Sequence, residues 1–173
     1  MKRLSILLLA AALLAAGCGY YSTSSRDRSL KGSLYMPILG NSTSQAGLEL
    51  EITELIIEAI ERDALLAIIP DENEADFRLQ GIITRYDERA SFTGSSGGAE
   101  EYHLQLTVQM DFKVLRPESL EVVPKDWSKN LNSQASFYLE DTDAGEALTR
   151  EEAEEEVRRQ LVEDTLNAIF GDW

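Results

Sequence analysis

The chain has one cysteine, Cys18, and one histidine, His103, among its 173 residues. One thiol excludes an intrachain disulfide, and one thiol with one imidazole leaves no Cys/His set for a structural metal. There is no GxGxxG, no phosphate-binding loop, no HExxH and no nucleophile elbow set between a strand and a helix. Dinucleotide, phosphoryl and serine-hydrolase chemistry therefore lack sequence support. Basic residues are scarce, 16 Lys and Arg against 31 Asp and Glu, for a net charge of −15. Such a balance repels a phosphate backbone and argues against nucleic-acid binding. Beyond the first 17 residues no run approaches the roughly 20 apolar residues that a membrane helix needs.

What the chain does have begins at its start. Lys2 and Arg3 precede an apolar stretch, residues 4–16, broken only by Ser5, and Ala15, Ala16 and Gly17 lead into Cys18. Charge, apolar run and small residues in that order form an export signal too short to span a bilayer. A signal ending in small residues directly before Cys resembles the bacterial lipobox, although Ala15 stands where Leu is usual and Leu14 is one place early. The resemblance implies a diacylglycerol on the Cys18 thiol, cleavage before it, and a palmitate-type chain on the new amine. Two or more acyl chains make a stable anchor, at about 0.8 kcal/mol per buried CH2. Gly19, where Asp would favour the inner membrane, resembles an outer-membrane lipoprotein. Residues 1–17 are thus expected to be a signal peptide, residues 18–32 a lipidated polar tether, and residues 33–173 one α+β domain. Cleavage also removes Lys2 and Arg3, leaving 14 basic residues against 31 acidic ones.

Patterning supplies the elements. A short strand is expected over residues 34–39, with Pro37 marking an edge, and Gly40-Asn41-Ser42 reads as a turn. Leu48, Ile52, Leu55, Ile56, Ala59 and Ile60 recur at helical spacing with Glu49, Glu51, Glu54, Glu58 and Glu61 mostly opposite, and Ser44 is a candidate cap. A short apolar strand over residues 65–69 ends at Pro70. Residues 71–76 form an acidic turn without the glycine and distal Glu of a calcium loop. Phe77, Leu79, Gly81 and Ile83 alternate with polar neighbours, and Gly81 is a candidate bulge. Residues 94–98 suit a hairpin tip. Tyr102, Leu104, Leu106, Val108, Met110, Phe112 and Val114 alternate without error with His103, Gln105, Thr107, Gln109, Asp111 and Lys113, the mark of a half-buried strand. After a turn containing Pro117 and Pro124, Trp127, Leu131, Ala135, Phe137 and Leu139 alternate with Ser128, Asn130, Asn132, Gln134, Ser136 and Tyr138. Thr149 and Glu152 have capping-box spacing before a last helix with Val157, Leu161, Thr165 and Ala168 on one stripe. The expected fold is α+β and two-layered: a mostly antiparallel or mixed sheet of about four to five strands, with two amphipathic helices packed on one face.

The polar faces of the two best strands carry the functional signal. The chain is 27% charged, yet Ser128, Asn130, Asn132, Gln134, Ser136 and Tyr138 include no charge, and Gln105, Thr107 and Gln109 continue that character. Solvated sheets usually mix in Lys and Glu, which guard against unwanted pairing. Gln105, Thr107, Gln109, Asn130, Asn132 and Gln134 are therefore candidates for a polar, partner-facing surface. The bland alternative is a solvent face. His103 lies on the same side; paired carboxylates are too common here to single out a couple.

Cys18-Gly19-Tyr20, the strand ending in Pro37, Asn41-Ser42-Thr43, the helix from Gly47-Leu48-Glu49-Leu50-Glu51, Ala75-Asp76, Gly81-Ile82-Ile83-Thr84-Arg85-Tyr86 and the closing Gln160-Leu161-Val162-Glu163-Asp164 together resemble the LptE family of lipopolysaccharide-assembly lipoproteins. Ser91-Phe92-Thr93-Gly94 and the Trp173 end are most similar to its Bacteroidota branch. The resemblance implies a non-enzymatic protein without cofactor or metal. It would sit in the outer membrane, face the periplasm, plug the LptD β-barrel, help it assemble, and assist lipopolysaccharide delivery. Arg78, Arg85, Lys113 and Lys129 are the candidates for contact with the anionic lipopolysaccharide, against the repulsion of an acidic chain. A different class of function, a periplasm-facing lipoprotein that binds a small lipid or a secretion-system subunit, would need an enclosed apolar pocket.

Overall fold

The computed structural model describes residues 30–62, 66–93, 99–138 and 148–171. The signal peptide, Cys18, most of the tether, the 94–98 tip, Leu139, the acidic 140–146 segment and Trp173 lie outside the described residues. The elements are β1 (Ser33–Tyr35), β2 (Gly40–Asn41), α1 (Leu48–Arg62), β3 (Ala67–Ile68), β4 (Phe77–Thr93), β5 (Ala99–Val114), β6 (Trp127–Tyr138) and α2 (Arg150–Phe170). β4, β5 and β6 form an antiparallel meander. β1 and β2 lie in turn along the first half of β4, parallel to it, and β3 pairs parallel to β1. The result is an α+β domain with a mixed open sheet and two helices. The expected 34–39 strand is thus cut short at Tyr35, and the expected turn at Gly40-Asn41 is itself a two-residue strand.

Period-two alternation builds the core. Leu104, Leu106, Val108, Met110 and Phe112 of β5 are all buried, facing Phe77, Leu79 and Ile83 of β4 and Leu131, Ala135 and Phe137 of β6. Phe77, Phe112 and Trp127 stack across three strands, with ring centroids 5.4 and 5.7 Å apart. α1 closes this layer with Leu48, Ile52, Ile56, Ala59 and Ile60, and α2 with Val157, Leu161, Leu166, Ile169 and Phe170.

The termini of the helices follow local chemistry. At α2 the capping box forms: the Glu152 N–H donates to Thr149 Oγ1 at 3.2 Å, and the Thr149 N–H donates to Glu152 Oε2 at 2.8 Å. At α1 Ser44 is not the cap. The helix starts after Gly47, which has φ +88° and whose carbonyl accepts from the Glu51 N–H. Asn41 organises the approach instead, donating to Gln45 O at 2.8 Å and Glu49 Oε2 at 2.6 Å while its Oδ1 accepts from the Thr43 N–H. Buried Thr53 ties α1 to the sheet: its hydroxyl accepts from the Leu39 N–H at 3.0 Å and donates to Glu49 O at 2.6 Å.

Gly81 is not a bulge. The register runs unbroken through it, and the first irregularity falls between Ile83 and Arg85, with further shifts on either side of Phe92. Glycine is needed at 81 because a Cβ there would lie 2.5 Å from Met110 Sδ and 2.6 Å from the Gln109 carbonyl. The bulge leaves Thr84 unpaired and reverses the side-chain parity of β4. Phe77, Leu79 and Ile83 face the core before it, and Arg85, Asp87 and Arg89 would have followed them inward. After it these three lie opposite Thr107, Gln105 and His103 on the polar face.

Asp76 joins the strand ends. Its Oδ2 accepts from the Ser33 N–H and the Ser33 hydroxyl, each at 2.8 Å, and its other oxygen accepts from Ser119. Burial pushes this carboxyl up, but the Ser119 and Ser33 hydrogen bonds and the Arg116 charge outweigh it and hold it below the ordinary value. A carboxyl lowered by folding stabilises the native state above about pH 4 and loses that contribution as pH falls through its folded value. Asp76→Asn is therefore expected to flatten the loss of stability on acidification below about pH 4, measured by urea unfolding at stepped pH. Gly81→Ala is expected to cost about 1–3 kcal/mol through overpacking, seen as a lower urea midpoint at unchanged slope.

Candidate functional site

The six predicted partner-facing residues converge. Gln105 stands opposite Gln134, Thr107 opposite Asn132, and Gln109 opposite Asn130, three consecutive pairs on the outer face of β5 and β6. The face is partly self-bonded: Gln105 Nε2 donates to Asn132 Oδ1 at 2.7 Å, and Thr107 Oγ1 donates to the same oxygen at 3.0 Å. Ser128 and Ser136 extend it at either end. Its side chains are amides and hydroxyls, able to donate and accept in any direction and committed to no charge.

Charge frames this field. At one end Arg78 and Lys113 are cross-strand neighbours, and Arg78 is paired with Glu72 at 2.5 Å. At the other, Arg85, Asp87 and Arg89 form a ladder in which Asp87 meets Arg89 at 2.6 Å and Arg85 at 3.7 Å. Arg85 also donates to Gln105 Oε1 at 3.2 Å, linking the ladder to the amides. Lys129 does not join the other three cationic candidates. It belongs to the opposite face of β6 and lies 5.2 Å above the Trp127 ring.

Sequence reasoning missed Asp87 and Arg89, which the parity reversal at Thr84 brings onto the outer face. The signal was present: three charged residues, at 85, 87 and 89, occupy positions that a regular strand would point into the core. It also passed over Ile82, an apolar residue 36% exposed opposite Gln109. His103 is exposed and its Nδ1 is 2.7 Å from the Ser136 hydroxyl. It lines a shallow concavity of about 610 Å³ with Asp87, Arg89, Gln105 and Gln134. The Asp87 carboxylate is engaged by arginines, so no Ser-His-Asp relay forms among the described residues. A second concavity, about 590 Å³ between α1 and α2, is an open groove rimmed by Glu58, Arg62, Arg158 and Glu163 over Leu55, Ala59, Val162 and Leu166. Among the described residues no group of acidic, His or Cys side chains is arranged to hold a metal ion, and no helix is long and apolar enough to cross a membrane.

The profile of the lipopolysaccharide-assembly family, LptE, matches residues 32–169. The chain belongs to the LptE family. LptE lipoproteins act in lipopolysaccharide transport with LptD, are membrane-associated, and form a non-enzymatic family not known to use cofactors. No curated protein matches the sequence. Among solved structures the fold is similar to a lipoprotein B of Nitrosomonas europaea, at 12% identity and TM-score 0.55, covering 86% of this chain and 90% of that one. It is likewise similar to the rare lipoprotein B of Shewanella oneidensis, at 15% identity and TM-score 0.51, covering 79% and 90%. A hypothetical protein of Chlamydia trachomatis aligns at 12% identity and TM-score 0.54, covering 82% and 99%. At these identities the likeness is one of fold.

The polar field is solvated, so its internal bonds contribute little. Asn132→Ala is expected to lower unfolding free energy by less than about 1 kcal/mol, read from urea denaturation of the purified chain.

Proposed function

We propose that this LptE-family chain is an outer-membrane lipoprotein, anchored through acyl chains on Cys18 at the periplasmic leaflet. Its uncharged sheet face seats against the inner wall of the LptD barrel, where it plugs the barrel, supports its assembly and assists lipopolysaccharide delivery to the outer leaflet. The observation that carries this reading is the contiguous amide and hydroxyl field of Gln105, Thr107, Gln109, Asn130, Asn132 and Gln134 in a chain of net charge −15. The lumen of a barrel is polar and wet. A surface free of fixed charge enters it without stranding an unpaired ion, which is costly to bury. The charged residues that frame the field remain available to anionic ligand. Arg78, Arg85 and Lys113 share the outer face, so lipopolysaccharide phosphates would meet them there, with Lys129 contributing from the other face.

Affinity purification of the tagged chain from detergent-solubilised membranes is expected to recover LptD. The double change Asn130→Asp with Asn132→Asp places two like charges on the field. It should reduce the LptD recovered at least five-fold while leaving the melting temperature of the isolated chain within a few degrees. Wild-type protein that recovers no barrel, or a double variant that recovers as much as wild type, overturns the reading.

A further inference from the structure

One end of the sheet differs chemically from the rest of the chain. Leu34 pairs with Phe77, Phe77 with Val114, and Phe112 with Trp127, so the starts of β1, β4 and β6 and the close of β5 lie together there. The N-terminal segment enters the domain at this end: a Cβ on Gly32 would lie 2.9 Å from Asp76 Oδ2 and 3.0 Å from the Phe77 ring. Between β5 and β6 the loop of residues 115–126 is pinned on both flanks. The Asp76 carbonyl accepts from the Leu115 N–H at 2.8 Å and the Arg116 N–H at 3.3 Å, and Ser119 donates to the Asp76 carboxylate. The Asp126 carboxylate accepts from the Val114 N–H at 2.8 Å. Leu120 packs against the core and Pro124 is buried. Val122 and Val123, held between them, are 47% and 53% exposed. Asp76 also holds Ser33, so one residue ties this loop to the point where the N-terminal segment enters.

Lysine is confined to the same end. Of the five lysines in the chain, Lys2 belongs to the expected signal peptide, and the other four are Lys31, Lys113, Lys125 and Lys129. Lys31 precedes β1, Lys125 lies in the loop, and Lys113 and Lys129 stand within two residues of the strand ends that flank it, one on each face of the sheet. All four are exposed. Among the described residues none of them is ion-paired, whereas Arg78, Arg85, Arg89, Arg150, Arg158 and Arg159 each meet a carboxylate. The exposed carboxylates Asp71, Glu74, Glu118 and Glu121 match the lysines in number, so this end is near neutrality. The helices are not: α1 has five carboxylates against one arginine, and α2 seven against three.

A pinned apolar pair ringed by long lysines fits a boundary between water and lipid. The valines can enter the acyl region while lysine stems lie along it and their ammonium groups stay with the phosphates. The acidic helices would be held off an anionic leaflet, and the near-neutral end would not. Two half-exposed valines bury far less than the roughly 1,000 Å² of a stable protein interface, which disfavours a second copy or a protein partner here. A bilayer contact does not need such an area, because the anchor supplies the affinity. The eleven residues between Cys18 and Leu30 extend at most about 40 Å, and a short tether makes a weak second contact effectively intramolecular. We propose that the 115–126 loop, led by Val122 and Val123, docks on the phospholipid surface of the membrane that holds the anchor, and thereby sets the orientation of the domain at that surface. This rests on the acylation of Cys18 proposed above.

The test reconstitutes the acylated chain in vesicles of phosphatidylcholine and phosphatidylglycerol with no barrel present. Acylation consumes the only native thiol, so a fluorophore can be placed at Glu121→Cys beside the valines, or at Glu54→Cys on the exposed side of α1. Lipids carrying a nitroxide near the headgroup should quench the fluorophore at 121 at least three-fold more than the one at 54. Val122→Asp with Val123→Asp should remove at least two-thirds of the quenching at 121. The comparison of the two labelled sites leaves both valines in place and decides the matter even if the double variant misfolds. A chain that carries no acyl group overturns the anchoring at Cys18 and not the loop contact. The same measurement is then made on the chain with Cys18→Ser and a histidine tag in place of its signal peptide, held on nickel-chelating lipid. Equal quenching at 121 and 54, or a folded double variant that is quenched as strongly as wild type, overturns the proposal. So does a fluorophore at 121 that is shielded from water but not quenched while the chain sediments as a dimer, since the occupant would then be a second copy.

Discussion

The alternation of β5 between core and outer face constrains everything else. β5 is paired along its length on both sides, so a slip against β4 or β6 would turn a row of leucines outward and a row of amides inward. Burying Leu104, Leu106, Val108, Met110 and Phe112 recovers on the order of 1.5–3 kcal/mol per side chain relative to exposure. No one-residue shift can retain that. With β5 placed, the Phe77–Phe112–Trp127 stack aligns the three strands, and both helices have one apolar face to cover.

The same alternation forces a second face into existence, and its character is a separate matter. Nothing in the core requires Gln105, Thr107, Gln109, Asn130, Asn132 and Gln134 to be uncharged. Lys and Glu at those positions would satisfy the strand equally well and would guard the edge. The charges are moved to the frame of the sheet, to the acidic exterior of α1 and to α2. That separation between an ionic perimeter and a neutral field sets the outer face apart from an ordinary solvated sheet.

Legibility differed between elements for physical reasons. β5, β6 and the two helices were readable because period-two and period-3.6 patterns survive along them, and the α2 cap because Thr149 and Glu152 are local partners. The six field residues were readable as a set for the same reason. β1 and β2 were blurred, since their pairing depends on long-range contact with β4. Residue type alone suggests a bulge at Gly81. Its actual constraint, the approach of Met110 and the Gln109 carbonyl, comes from a strand nearly thirty residues away. Ser44 is the cap that residue type suggests for α1, whereas Asn41, the residue that organises the loop, acts through side-chain bonds that no periodicity displays. Charge alone groups Lys129 with Arg78, Arg85 and Lys113, and strand parity sets it on the other face.

The sequence by itself determined which residues are core, which strand face is neutral, where α2 starts, and the resemblance to the LptE family. Those properties are written in patterns between near neighbours. Only the tertiary structure decided that Gln105, Thr107 and Gln109 lie directly opposite Gln134, Asn132 and Asn130. It also decided that the bulge at Thr84 carries Arg85, Asp87 and Arg89 to the same face. Register and parity reversal are relations between segments distant in the chain, and their energies exist only once the strands have met.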